Sequence, residues 1–164
     1  MSLVLGLDPG SVRLGYGVIS TDGAAVECVE AGTISAPASK PVGARLAEIG
    51  VDLEALLLEH MPDVVALEHG FVAVIRGSVQ QGALVSSEAR GVARYLVAKV
   101  GIEIVDLAPA TIKKGVTGTG RATKPQVAQM VQRLLGLKKR PDPDASDALA
   151  AAIVAARTWK PRAR

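Results

Sequence analysis

Aromatic side chains are nearly missing from this 164-residue chain, which has one Phe, one Trp and two Tyr. The four, Tyr16, Phe71, Tyr95 and Trp159, are too scattered for an RNA-recognition sheet, which stacks bases on aromatics of neighbouring strands. Cysteine is scarcer still. Cys28 stands alone, so no intrachain disulfide can form, and the expected setting is a reducing, cytoplasmic compartment. Long apolar runs are also lacking. Residues 3–7 are too few, and lack the basic flank, for a signal peptide; the alanine-rich stretch near the end is broken by Asp147 and Arg157, so neither reads as a membrane segment. No repeat and no low-complexity linker divides the chain. Its 49% apolar and 21% charged content suits a globular domain able to bury its own core. The expectation is one domain over residues 1–158 followed by a short basic tail, 159–164.

The net charge of +3 conceals a division. Residues 1–106 carry 7 basic and 13 acidic side chains, whereas residues 107–164 carry 12 basic and 3 acidic ones. Residues 107–141 hold 8 basic side chains and no acid. Such a one-sided surface points to a polyanionic partner. The bland alternative is a solvated face that happens to be basic.

Residues 3–8 form a short apolar run ending in the turn sequence Asp8-Pro9-Gly10-Ser11, and read as a buried strand. Residues 14–20 and 25–34 supply a second and third strand, joined by the hairpin signal Asp22-Gly23. Leu46, Ile49, Leu53, Leu56 and Leu57 then recur at helical spacing up to His60, where Pro62-Asp63 breaks the pattern. Residues 64–68 read as a central strand, 78–100 as a helix rich in small residues, and 102–107 as a fifth strand. The small-residue face of that helix is either core or a subunit contact. Two helices are expected after the fifth strand. Thr123, with Pro125 and Gln126, makes a capping start for the first, and the second runs from Asp144 to Arg157. Three antiparallel strands followed by alternating helices and strands predict an α/β fold: a five-stranded mixed sheet with helices on both faces.

Four acids stand where structure alone has little need of them. Asp8 and Glu68 each end an apolar strand, and Asp144 and Asp147 lie three apart, on one face at the start of the last helix. Singly, Asp144 reads as a helix cap and Asp8 as a turn residue. Glu68 is harder to dismiss, because Val64-Val65-Ala66-Leu67 has no local use for an acid. If the first and fourth strands are neighbours, with the last helix at their ends, all four carboxylates converge. Such a cluster repels itself unless oxygen-seeking divalent cations enter, and Mg2+ is the natural choice. Two such ions can clamp the attacking and leaving oxygens of a phosphodiester. The basic stretch from Lys113 to Lys139 would then face the phosphates.

The blocks Leu5-Gly6-Leu7-Asp8-Pro9-Gly10-Ser11 with Gly15-Tyr16-Gly17, Ala66-Leu67-Glu68-His69-Gly70-Phe71, Ala89-Arg90-Gly91-Val92-Ala93, Pro109-Ala110-Thr111-Ile112-Lys113 and Asp144-Ala145-Ser146-Asp147-Ala148-Leu149-Ala150 together resemble the RuvC family of Holliday-junction resolvases. They span nearly the whole chain in that family's order. The resemblance implies an RNase H-like fold, a homodimer, and paired cuts in opposed strands of four-way junction DNA during recombination and repair. It implies RuvA and RuvB, the branch-migration proteins, as partners. It places Asp8, Glu68, Asp144 and Asp147 on the catalytic acids that bind two Mg2+ ions, with Mn2+ as the alternative ion. It places Phe71 on an aromatic that stacks on a base, and Lys113 and Lys124, with Lys114 beside the first, on DNA-contacting cations. His69, Ser87 and Glu88 depart from the family pattern; His69 reads best as a strand-end spacer.

Other readings fit less well. Gly115 to Ala122 has the glycine spacing of a P-loop but lacks the Lys-Ser/Thr that would follow, and reads instead as a flexible basic loop near DNA. No glycine fingerprint leads from the first strand into a helix, against a Rossmann domain. The opening strand and turn also resemble actin-like ATPases, which need a second lobe this chain has no room for. A non-catalytic junction binder and a ribonuclease of the same fold remain the alternatives.

Overall fold

In the computed structural model, which describes residues 1–69, 74–75, 78–79 and 81–160 (with side chains left aside for 74–83), five strands form one sheet in the order β3-β2-β1-β4-β7. β1 (Ser2–Pro9), β2 (Arg13–Thr21) and β3 (Val26–Ser35) run antiparallel in sequence, while β1, β4 (Val64–Glu68) and β7 (Glu103–Leu107) are parallel. The mixed sheet matches the sequence reading. β1 pairs with β4 in the register Leu7↔Leu67, so Asp8 and Glu68 leave the same edge of the sheet side by side.

Alternation along the strands sorts their side chains onto two faces. Leu5, Leu7, Val65 and Leu67 pack against Leu53 and Leu57 of α1 (Val42–His60) and Ala93 and Val97 of α2 (Gln81–Lys99). Val4, Val64 and Ala66 face the other way, onto α5 (Pro143–Thr158) with α3 (Pro109–Thr117) and α4 (Lys124–Leu134) outside it. Asp8 and Glu68 continue the parity of Val4 and of Val64 and Ala66, so both carboxylates belong to the α5 face.

That helix is the centre of the molecule. Ala145, Ser146 and every residue from Ala148 to Ala155 are buried. It lies unusually close to the sheet. A Cβ on Gly6 would sit 1.9 Å from the Ala148 carbonyl oxygen, and one on Gly15 would sit 2.1 Å from that of Asp144. Glycine at these positions lets backbone meet backbone, which brings the first turn of α5 to the end of β1.

Several details differ from the sequence reading. The helix expected from Ser78 begins at Gln81; Ser78–Val79 pairs instead with Val74–Ile75 in a small antiparallel ribbon, β5 and β6. Its small residues divide between faces: Ala89 and Ala93 are buried, while Ser87 and Gly91 are exposed, on a helix whose exposed residues also include Leu84, Glu88 and Tyr95, the last 64% exposed. Three helices, not two, follow β7. α3 escapes detection by periodicity because it has nine residues and only two buried side chains, Ile112 and Val116. Pro109 starts it and Gly118, at φ 84°, ends it, so Gly115 to Thr117 are helical rather than part of a loop. The capping box at Thr123 is present, with Thr123 Oγ1 accepting from the Gln126 amide. Asp142, not Asp144, caps α5: its carboxylate accepts from the Ala145 amide, because Pro143 takes the first helical position. Trp159 packs against the α5-side core.

Candidate active site

The end of β1, the end of β4, α3, the start of α4 and the first turn of α5 enclose a cavity of about 180 Å3. Asp8, Glu68 and Asp147 line it, with Lys113 and Lys124. Its position beyond the carboxyl ends of parallel strands is where open α/β sheets place ligands. Five of the expected site residues therefore meet in one place.

Three carboxylates in so small a space cannot all ionise freely. Burial, then Asp147 and Glu68, lift the Asp8 pKa from 3.8 to about 6, with Lys124 opposing them. Burial and Asp147 also raise Glu68, against the cations Lys124, Arg90 and Lys113. The protein answers part of this charge itself: Lys124 Nζ donates to Asp147 Oδ2 at 2.8 Å, and that bond raises the lysine's pKa. The Lys113 ammonium makes no ion pair or hydrogen bond among the described residues.

Asp144 stands apart. Arg13 Nε donates to its Oδ2 at 2.5 Å, and the guanidinium also lies 3.9 Å from Asp142. Asp144 adds to the charge felt by Asp8, but it does not line the cavity. Lys114 follows Lys113 on α3 and is likewise outside the lining residues. Phe71 lies outside the described residues. His69 donates its backbone N–H to Leu107 O at 2.7 Å, extending the β4–β7 ladder by one residue. Ser87 and Glu88 are exposed on α2.

Two arginines carry roles that no sequence pattern assigned. Arg90, on α2, reaches across to donate from Nε to the Glu68 carbonyl at 3.0 Å, pinning the backbone that carries this acid. Arg13 holds Asp144 and Asp142. Arg90 lies in the Ala89-Arg90-Gly91 block, but a bond to a main-chain carbonyl 22 residues away leaves no spacing signal.

The donor set is oxygen only and acidic, which suits a hard divalent cation in kind. The Asp8 pKa is raised first by burial and then by the neighbouring carboxylates Asp147 and Glu68, a setting that a bound cation would relieve. Among the described residues no three acids close to the spacing of ligands around a single ion, and Asp147 is turned to Lys124.

A sheet of order 3-2-1-4-7 with acids at the ends of its first and fourth strands and on the helix crossing them defines an RNase H-like nuclease fold. Residues 4–155 match the family model for crossover junction endodeoxyribonuclease RuvC, and the chain belongs to that family. The RuvC of Syntrophomonas wolfei is 41% identical over 151 residues, covering 92% of this chain and 86% of that one. The RuvC of Bordetella parapertussis is 43% identical over 150 residues, covering 92% and 80%. Thermus thermophilus RuvC, solved in complex with a Holliday junction substrate, superposes with a TM-score of 0.85 at 30% identity, covering 95% of this chain and 93% of that one. Fowlpox virus resolvase shares the fold, with a TM-score of 0.59 at 12% identity.

Proposed function

We propose that the protein is a metal-dependent endonuclease that resolves four-way DNA junctions by hydrolysing a phosphodiester in each of two opposed strands. The observation that supports this most directly is the cavity itself: Asp8, Glu68 and Asp147 converge beside Lys113 and Lys124. Carboxylates alone would repel a phosphate, and cations alone would bind DNA without cutting it.

Asp8, Glu68 and Asp147 would hold divalent ions, Mg2+ with Mn2+ as the alternative, and Asp144 would join them after release from Arg13. Bound there, the ions would supply a water acidic enough to attack at neutral pH and a counter-charge for the leaving oxygen. The lysines act on the polymer. Lys113 would present its ammonium to the scissile phosphate, and Lys124, now paired with Asp147, would turn to a phosphate oxygen once Asp147 served as a metal ligand. Arg90 keeps the Glu68 backbone in place throughout. Lys114 adds charge to the same helix, and Phe71, two residues beyond the end of β4's neighbour His69, would stack on a base near the junction centre.

Two opposed cuts need two active centres. The outward face of α2, carrying Leu84, Gly91 and Tyr95, supports a homodimer with one site per protomer. Among the described residues no helix is long and apolar enough to cross a membrane. A cytoplasmic role in recombination and repair, alongside RuvA and RuvB, is the setting that family membership supports.

The test is cleavage of a four-way junction, a linear duplex and an RNA–DNA hybrid, each with and without Mg2+. Paired cuts in the junction alone, requiring the metal, are expected. Cutting of the hybrid in preference would make the protein a ribonuclease, and a gel shift without cutting would make it a junction binder.

A further inference from the structure

Asp144 has two claimants. Asp8 pairs with Gly15 across β1 and β2, so their side chains share a face of the sheet. A Cβ on Gly15 would come within 2.9 Å of the Asp144 Cβ, which puts the root of the Asp144 side chain over the strand next to Asp8. Adjacent strands lie about 4.8 Å apart, a step that rotation about side-chain bonds can largely cover. Arg13, two residues before Gly15, stands on the same face of β2. Its Nε donates to Asp144 Oδ2 at 2.5 Å, and Asp144 does not line the cavity of Asp8, Glu68 and Asp147.

This bond is the one Arg13 side-chain hydrogen bond among the described residues. Asp142, the other acid near the guanidinium, is committed elsewhere. It accepts from Thr33 Oγ1 and from the Ala145 amide, and comes no nearer than 3.9 Å to Arg13. The Arg13–Asp144 pair is open to water, with side chains 52% and 32% exposed. Exposed ion pairs are weak and therefore exchangeable. A guanidinium fork fits a phosphate as well as a carboxylate, through two parallel N–H bonds.

We propose that Arg13 is a positioning residue that withholds Asp144 from the acidic centre in the free protein and releases it to take a phosphate of bound DNA. The inference rests on reading the acids as a metal centre. It adds an order of events: the fourth acid is delivered only once a strand is in place. By linkage, DNA and divalent cation each raise the affinity for the other, and Arg13 carries that coupling.

The test keeps metal and DNA apart, so nothing is cut. Mn2+ alone is titrated into the DNA-free full chain and read from the resonance signal of the free ion. Arg13→Gln should bind Mn2+ about fivefold more tightly than wild type, and Arg13→Lys should stay within about twofold of wild type. With Asp144→Asn already present, Arg13→Gln should change Mn2+ affinity by less than about twofold. An equal gain in both backgrounds would overturn the proposal, because the guanidinium would then act through its charge alone; a gain in neither would do the same. Junction binding in chelator reads the other half. Arg13→Gln should bind several-fold more weakly, with the salt slope reduced by about one, and an unchanged slope would end the exchange for phosphate. Mn2+ binding by neither wild type nor Arg13→Gln fails differently, and takes the reading of the metal centre with it.

Discussion

Asp8→Asn should make the metal-free protein more stable at neutral pH while abolishing cleavage. The Asp8 pKa rises from 3.8 to about 6 in the folded chain, by burial first and then by Asp147 and Glu68. The folded state therefore holds this proton more tightly than the unfolded state. Stability from the group is fully present below about pH 4, is lost as pH rises toward about 6, and stays lost above. The difference amounts to at most about 3 kcal/mol, and to about 1–2 kcal/mol once residual solvent access is allowed for. Asn cannot ionise and escapes the penalty. For a chain of this length that is a rise in melting temperature of roughly 2–8 °C at about pH 7.5, shrinking toward zero at about pH 4. Thermal melts in chelator across that range measure it. Millimolar Mg2+ should then raise the melting temperature of the wild type and leave the variant unmoved. A variant no more stable than wild type at about pH 7.5, or equally stabilised at about pH 4, would refute the account of Asp8 as a carboxylate short of countercharge.

Lys124→Ala should weaken junction binding and reduce its salt slope by about one, while changing stability by less than about 1 kcal/mol, since the lysine is 76% exposed. Binding titrations at several salt concentrations, with a urea melt, separate the two effects. Gly15→Ala places a methyl group against the Asp144 carbonyl and should cost about 1–3 kcal/mol in a urea melt, with cleavage lost even where folding survives. Arg90→Ala removes the donor to the Glu68 carbonyl; cleavage at saturating junction should fall about tenfold or more, with the binding constant within about twofold of wild type.

The strands and the long helices could be read along the chain, most from their own periodicity and β4 from a short apolar run bounded by turn signals. Residues 64–68 alternate nothing and end in an acid, and that oddity pointed straight at Glu68. The capping box at Thr123 likewise lies within four residues and needs no tertiary knowledge. α3 could not be read, since two buried side chains in nine residues define no period. The site was half legible for the same reason. Asp8, Glu68 and Asp147 stand out as acids in apolar company, but whether Asp144 joins them depends on Arg13, 131 residues away. Gly6 and Gly15 were visible as glycines; their purpose, letting a helix touch the sheet, exists only after folding.

The helix that fills the middle of the molecule is also the last of the described elements along the chain. A partly synthesised polypeptide therefore lacks at once the packing partner of its first two strands and the Asp147 that completes its acidic centre. Stability and cleavage should therefore be lost at the same point when the chain is shortened into α5, because one helix supplies both the core and an acid of the site.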